Sequence, residues 1–419
     1  MARFFYSILL YVLSPLLLIY LALRAIKSPD YRGRWGERFA LAPLKPTDLL
    51  IHSVSMGETL AAIPLIRAIM AERPELSITV TTTSPTGSAE VVKAFGDKVQ
   101  HCYLPFDLYF AMGRFINKLG CAELIIMETE LWPNLIAAAK ARGTKVSLLN
   151  ARLSQKSAAS YTKYHALTAP MLKSLDRIAV QTAPEAERFV ALGVEPSRIS
   201  VCGSLKFDID IPAERREQAR VLRREWQRDN DFVWVAGSVH PGEFGAMLSA
   251  HRQLLTTKPQ SLLIMVPRHP EQFANAARAI EEAGFSLAKR SLGESPTSGI
   301  QVLLGDTMGE LLTWYGAADA AFVGGTLIEN GGHNPLEPAA MGLPVAMGPH
   351  HWDFKEITSL LSDAGNLGVC ESPTAFEAWL VATAGDTQVR ESAGNAGLEV
   401  VAANRGALKR QLAVLESLL

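Results

Sequence analysis

Two nucleotide-binding signatures are missing from this sequence. There is no Gly-Lys-Ser/Thr loop of the Walker type and no early G-x-G-x-x-G, which argues against an ATPase and against a dinucleotide oxidoreductase. Cysteine is scarce. Cys102, Cys121, Cys202 and Cys370 are scattered without C-x-x-C spacing, and three of them lie in or beside apolar, strand-like runs. They read as reduced core residues, which suits the cytosolic side of a membrane. Neither charge is in excess: 41 Lys and Arg stand against 42 Asp and Glu, a net charge of -1. That excludes a global basic field for nucleic acid. His333, His350 and His351 lack the i, i+4 spacing of a helical metal site, and no cysteine or carboxylate cluster completes one, so no metal and no cofactor is expected. Repeats of short period and low-complexity segments are absent too.

What is present is a long, apolar-rich chain. Its 419 residues suggest two or three domains, and 48% apolar content is enough for large cores. Residues 4–23 carry no charge and approach the ~20 residues of a membrane-spanning helix. A cleavable signal is the rival reading. The stretch is long for one, and it is followed by Arg24, Lys27, Arg32, Arg34 and Arg38 rather than small neutral residues. Only Arg3 precedes it, so the positive-inside rule places the bulk of the chain in the cytoplasm. Ser14 and Pro15 leave open a kinked helix lying partly in the interface. The basic cluster reads either as a topology signal or as a face for anionic headgroups or lipid phosphates.

From residue 49 onward, strand-like runs alternate with helical patterns. Strands are expected at 49–54, 77–82, 122–127, 145–149, 177–181 and 199–202, with helices at 61–71 and 135–141 between them. A polar stretch at 206–230 reads as linker plus surface helix. The pattern then restarts at 232–236, 261–266, 300–304, 320–323 and 344–347, and closes with helices from 373 to 419. This is an α/β pattern of two parallel sheets, each covered by helices on both faces. The expected division is an anchor at 1–27, a Rossmann-like domain at 28–208 and a second at 209–419, with the terminal helices free to pack back on the first. Ligands would sit in an interdomain cleft at the carboxyl ends of the strands.

Unusual residues gather at those ends. The run Val323–Gly324–Gly325–Thr326, followed by Gly331–Gly332–His333–Asn334–Pro335–Leu336–Glu337, reads as a strand, a glycine-rich loop and a helix capped by Asn334. Backbone N–H groups and the helix dipole there would bind an anion, and Glu337 would take ribose hydroxyls, so a nucleotide or nucleotide-sugar is expected. Glu58 opens a helix at the first strand's end, either complementing the dipole or taking a proton from an acceptor hydroxyl. The dipole is expected to keep it ionised. Glu128 and Glu130 lie on a strand-to-helix turn, where in extended chain they would share a face; one would orient a substrate hydroxyl or position another catalytic residue, or they cap the helix at Pro133. Arg268 can neutralise a departing phosphate, with His269 a hydrogen-bonding or packing neighbour. Met308, Gly309 and Glu310 supply another helix start for a phosphate or base. Ser238 and Lys206 follow two further strands. Asp208–Ile209–Asp210 looks like a metal-holding D-x-D, but its position in the linker makes it surface polarity.

Taken together, these motifs resemble the Kdo (3-deoxy-D-manno-octulosonic acid) transferases of lipopolysaccharide synthesis, glycosyltransferase family 30. The likeness runs over nearly the whole chain. It includes Arg32–Gly33–Arg34–Trp35–Gly36–Glu37–Arg38, His52–Ser53–Val54–Ser55–Met56–Gly57–Glu58, Glu128–Thr129–Glu130–Leu131–Trp132–Pro133–Asn134, Gly203–Ser204–Leu205–Lys206–Phe207–Asp208, Val266–Pro267–Arg268–His269–Pro270–Glu271 and Asp306–Thr307–Met308–Gly309–Glu310–Leu311. The resemblance implies a GT-B fold, CMP-Kdo as donor and the tetraacyl disaccharide bisphosphate precursor of lipid A as acceptor, at the cytoplasmic face of the inner membrane. It places the general base on Glu58 and a second acid on Glu128, with Glu130 as the alternative. CMP contacts fall on Arg268, Met308–Glu310, Asn334 and Glu337, and Glu130, Lys206, Ser238 and His269 are further candidates for orienting substrates. Gly237–Ser238–Val239–His240–Pro241–Gly242–Glu243 departs from the family pattern, in which Thr follows the Ser and Pro is absent. A UDP-sugar transferase or epimerase of the same fold is the alternative, and binding of CMP against UDP separates the two.

Overall fold

The computed structural model describes residues 1–209 and 211–416; Asp210 and residues 417–419 lie outside the described residues. Two compact units divide the chain. The first joins Met1–Asp208 to the stretch from Gly406 onward, and the second is Ile209–Arg405.

Each unit is built on one parallel seven-stranded sheet. In the first, the strands are β1 (Leu49–His52), β2 (Ile78–Thr82), β3 (Gln100–Tyr103), β4 (Glu123–Met127), β5 (Lys145–Ala151), β6 (Arg177–Val180) and β7 (Ile199–Val201), ordered β3-β2-β1-β4-β5-β6-β7. The second holds β8 (Val233–Val239), β9 (Leu262–Pro267), β10 (Leu287–Lys289), β11 (Val302–Leu304), β12 (Ala320–Val323), β13 (Val345–Met347) and β14 (Leu367–Val369), ordered β10-β11-β9-β8-β12-β13-β14. Every residue of β1, β2 and β4 is buried, as befits strands with helices on both faces. Winding reverses between β1 and β4 in one sheet and between β8 and β12 in the other. At such reversals the connecting loops part and leave a crevice beyond the strand ends.

Three strands lie outside the sequence expectations: β3, β10 and β14. All three are sheet edges, only three or four residues long and partly exposed, so they lack the continuous apolar run that marks a central strand. Residues 60–69 form core, as six apolar side chains of helix α2 (Met56–Glu72) are buried while Leu60 stays exposed. All four cysteines are free and buried.

Helix α1 (Ala2–Lys27) contains Pro15 and is long and apolar enough to cross a membrane. Two further helices of the first unit matter below: α3 (Tyr109–Leu119) and α4 (Pro133–Ala141). The second unit contributes α5 (Pro241–Leu255), α6 (Leu311–Gly316) and α7 (Leu336–Ala340). After that unit is complete, α8 (Ala407–Glu416) returns to the first sheet and packs Ala407 and Leu415 into the core around Leu49 and Ile51. Asp208 secures the return. Its carboxylate accepts the N–H groups of Gly406 at 2.6 Å and Leu408 at 2.5 Å. Asp208 is therefore a cap on the last helix, not surface polarity, because a buried helix start must satisfy its free amides.

Candidate active site

The first unit gathers carboxylates at its winding reversal. Beyond β1, Ser55 caps α2 by accepting the Glu58 N–H at 3.3 Å. The Glu58 carboxylate turns back toward the cap, accepting the Val54 N–H at 2.8 Å and the Ser55 hydroxyl at 2.9 Å. Burial pushes Glu58 up to about 7, opposed by the Val54 bond and reinforced by the negative charges of Glu128 and Glu130. The dipole and amide contacts do not keep it in the ordinary carboxylate range. The cause is desolvation, which penalises the charged form more than these contacts favour it.

Glu128 leaves β4 in the left-handed region, φ 54°, and Glu128 and Glu130 lie on the strand-to-helix turn expected there. Lys206 Nζ stands 3.6 Å from the buried Oε1 of Glu128. Burial, then the Glu128 charge, raises Glu130. Asn150, another left-handed residue at the end of β5, braces the Lys206 loop by accepting the Leu205 N–H at 3.0 Å. Gln411 of α8 accepts the Asn150 N–H at 2.9 Å and donates to the Gly203 carbonyl at 3.1 Å. His52 is fully buried, held at 3.0 Å to Thr81 Oγ1, and desolvation lowers it to about 4. A glutamate near neutrality, two acids and an ammonium group give a site that can accept and relay a proton.

In the second unit, β8 and β12 end side by side. A Cβ on Gly324 would overlap the Ser238 carbonyl, and one on Gly237 would overlap the Tyr315 hydroxyl, so both positions require glycine. Ser238 itself is left-handed, φ 55°. Glu243, with no exposed surface, accepts four backbone N–H groups: His240 at 3.0 Å, Gly325 at 2.8 Å, Thr326 at 3.0 Å and Leu327 at 3.0 Å. The amides expected to bind a ligand anion after β12 therefore already hold the chain's own carboxylate. Asn334 accepts the Leu336 N–H at 3.0 Å, but the N-cap position falls on Pro335, and α7 has only five residues.

Around this loop lies a cationic and aromatic cluster. His240 and His333 stack with ring centroids 5.2 Å apart and Nε2 atoms 2.9 Å apart, and His269 meets His240 edge-on at 5.8 Å. Burial, then the Arg268 charge, depresses His333 to about 3, so it is neutral at physiological pH. Burial also lowers His240, against the pull of Glu243. Glu337 is raised to about 7 by burial, which Arg268 partly offsets. The Arg268 guanidinium has no hydrogen bond or ion pair among the described residues, so it remains available to an anion. Glu310 differs. Arg290 holds it at 2.9 Å and Thr307 donates to it, and these contacts keep it low in spite of burial. What the Met308–Glu310 turn offers is the exposed Met308 side chain and the backbone around left-handed Gly309.

His240 and Glu243 were not among the site residues expected from sequence. The available signal was the spacing of an N-cap residue and a glutamate three positions on. Among the described residues, no group of three or more His, Cys, Asp or Glu side chains is arranged to hold a metal ion.

Comparison with known proteins bears on this geometry. Residues 33–209 match the family described as 3-deoxy-D-manno-octulosonic-acid transferase (kdotransferase). A 3-deoxy-D-manno-octulosonic acid transferase of Haemophilus influenzae is 43% identical over 422 residues, covering 99% of this chain and 98% of that protein. The chain belongs to the Kdo transferase family. A second member, from Bordetella pertussis, is 35% identical and covers 99% of both chains. As a Kdo transferase, the chain is a glycosyltransferase. Among solved structures, UDP-GlcNAc 2-epimerase from Neisseria meningitidis bound to UDP-GlcNAc superposes with a TM-score of 0.57 at 12% identity, covering 88% of this chain and 100% of that one. This likeness concerns fold alone, and with the two Rossmann-like sheets it makes the architecture GT-B-like.

Proposed function

We propose that this Kdo transferase moves Kdo from CMP-Kdo to the tetraacyl disaccharide bisphosphate precursor of lipid A, with inversion, at the cytoplasmic face of the inner membrane. The observation that carries the reading is Glu58: a buried carboxylate at a strand end, brought to about 7 by desolvation and two neighbouring acids. A base of that strength suits proton removal from a hydroxyl at neutral pH.

Glu58 takes the proton of a primary hydroxyl on the acceptor. The hydroxyl oxygen forms a bond to the anomeric carbon of Kdo as the bond from that carbon to the CMP phosphate oxygen breaks. CMP leaves with the electron pair. Charge developing on the phosphate is met by Arg268, whose guanidinium has no hydrogen bond or ion pair among the described residues, and by the amides of the Met308–Gly309 turn. Glu128, with Glu130, sets the charge state of Glu58, and Lys206 steadies Glu128. Asn334 and Glu337 contact the nucleotide. Ser238 and His269 orient the donor. The apolar helix α1 keeps the enzyme on the membrane that holds its acylated acceptor.

The test is mass spectrometry of the lipid after incubation with CMP-Kdo and the tetraacyl bisphosphate. A gain of one or more Kdo units is expected from the native protein and none from Glu58→Ala, which still binds CMP. Unaltered lipid with the native protein folded, or near-native turnover by Glu58→Ala, overturns the reading.

A further inference from the structure

Helix α1 is apolar enough to span a bilayer, yet its contacts hold it elsewhere. Tyr6 donates to Asp107 Oδ2 at 3.0 Å, Ser7 to Asn134 Oδ1 at 3.1 Å, and Tyr11 Oη accepts the Phe110 N–H at 3.1 Å. Toward the other end Leu21 is buried, and Arg32 donates to the Ala25 carbonyl at 2.9 Å. The less exposed positions Tyr6, Leu10, Ser14, Leu17, Leu21 and Ala25 recur every three or four residues, which is one helical face. A different face exposes Phe5, Leu9, Val12, Leu16, Ile19 and Leu23. With both ends against its own domain, α1 cannot carry its first turn through to the far side of a bilayer.

Beside the first turn of α1, helices α3 and α4 border a groove of about 830 Å³. Four cations line it, Arg3, Arg114, Lys118 and Arg142, together with the exposed rings of Tyr109 and Phe110, and no Asp or Glu is among the lining residues. Lys118 is fixed by the Ala40 and Ala42 carbonyls and Arg142 by Asn117, at 3.0, 2.8 and 2.8 Å. Arg3 and Arg114 have no ion pair among the described residues. Cations with no acid among the lining residues, aromatic rings and an adjoining apolar helix face match the layered chemistry of a bilayer surface: phosphates, headgroup boundary and acyl chains.

We propose that α1 lies in the plane of the membrane interface and that this groove holds the headgroup phosphates of anionic bilayer phospholipids. The proposal rests on the membrane association in the reading above and not on its transfer chemistry. Its test uses the full chain and vesicles that contain no acceptor lipid. Arg114→Glu/Arg142→Glu should bind vesicles containing phosphatidylglycerol about tenfold more weakly or worse, since each basic residue near an anionic surface matters appreciably. Binding to pure phosphatidylcholine vesicles should not change, and Arg114→Lys/Arg142→Lys should keep native affinity. Equal binding of phosphatidylglycerol vesicles by the charge-reversed and native proteins overturns the groove assignment. So does intact vesicle binding with loss of transfer to detergent-dispersed acceptor, which would give the groove to the acceptor's phosphates. For the helix, Ala2→Cys adds a thiol to a chain whose four native thiols are buried. With protein bound to the outside of sealed vesicles, a membrane-impermeant maleimide should label it without detergent. Protection until detergent is added overturns the in-plane placement.

Discussion

The carboxylate of Glu243 accepts the amide of Gly325 at 2.8 Å, across 82 residues of sequence. Through this bond and its neighbours to Thr326 and Leu327, the first turn of α5 holds the glycine loop after β12 in place. A loop with the glycines and amides of a ligand-anion site is instead shaped by an internal carboxylate.

Removing that anion leaves four amides without an acceptor, three of them on one buried loop. Glu243→Ala should destabilise the second unit by about 4 kcal/mol or more, at roughly 1–3 kcal/mol for each unsatisfied group. The thermal transition of that unit reports the loss. Acetate or sulfate should restore part of it by occupying the vacated position.

A second expectation concerns pH. As the proposed base, Glu58 would act only when ionised, and its position near 7 means that protonation should remove activity below neutrality. The pH profile of kcat/KM should rise to about pH 7 and then level. Because Glu128 pushes Glu58 upward, Glu128→Gln should move the acidic limb to lower pH. An unmoved limb would detach Glu128 from the base.

Arg268 should govern the donor. Arg268→Ala should weaken CMP binding ~30-fold or more, the scale of a lost charge-assisted contact to phosphate. Arg268→Lys should recover only part of this, since an ammonium lacks the planar fork. Titration calorimetry with CMP measures both.

The helix α8 gives a fourth. Gln411→Ala removes an acceptor for the Asn150 N–H and a donor to Gly203, so the loop carrying Lys206 loses its brace. Thermal stability of the first unit should fall by about 1–3 kcal/mol. Transfer should slow more than donor binding weakens.

Much of the framework was legible because central parallel strands are continuous apolar runs, and their carboxyl ends, where Glu58, Glu128 and Arg268 lie, follow at once. The edge strands β3, β10 and β14 were not, since Gln100 and His101, Lys289 and Gly368 cut their apolar runs short. Nor were the electrostatics. A first-turn acid such as Glu58 looks stabilised in its charged form until its burial and the approach of two other acids are known. Glu310 looks free for a ligand until Arg290, twenty residues earlier, is seen to hold it. Such pairings depend on distances that sequence spacing does not encode.

The late return of α8 has a consequence for how the protein comes to exist. A ribosome that has finished residue 208 has made all seven strands of the first sheet, but not the helix that covers Leu49 and Ile51 and braces Asn150. That sheet must wait, with apolar surface uncovered, while the whole second unit is synthesised. Completion of the carboxylate site is thereby deferred until translation has passed through residues 407–416. An unfinished chain would hold neither a whole first domain nor a braced Lys206 loop.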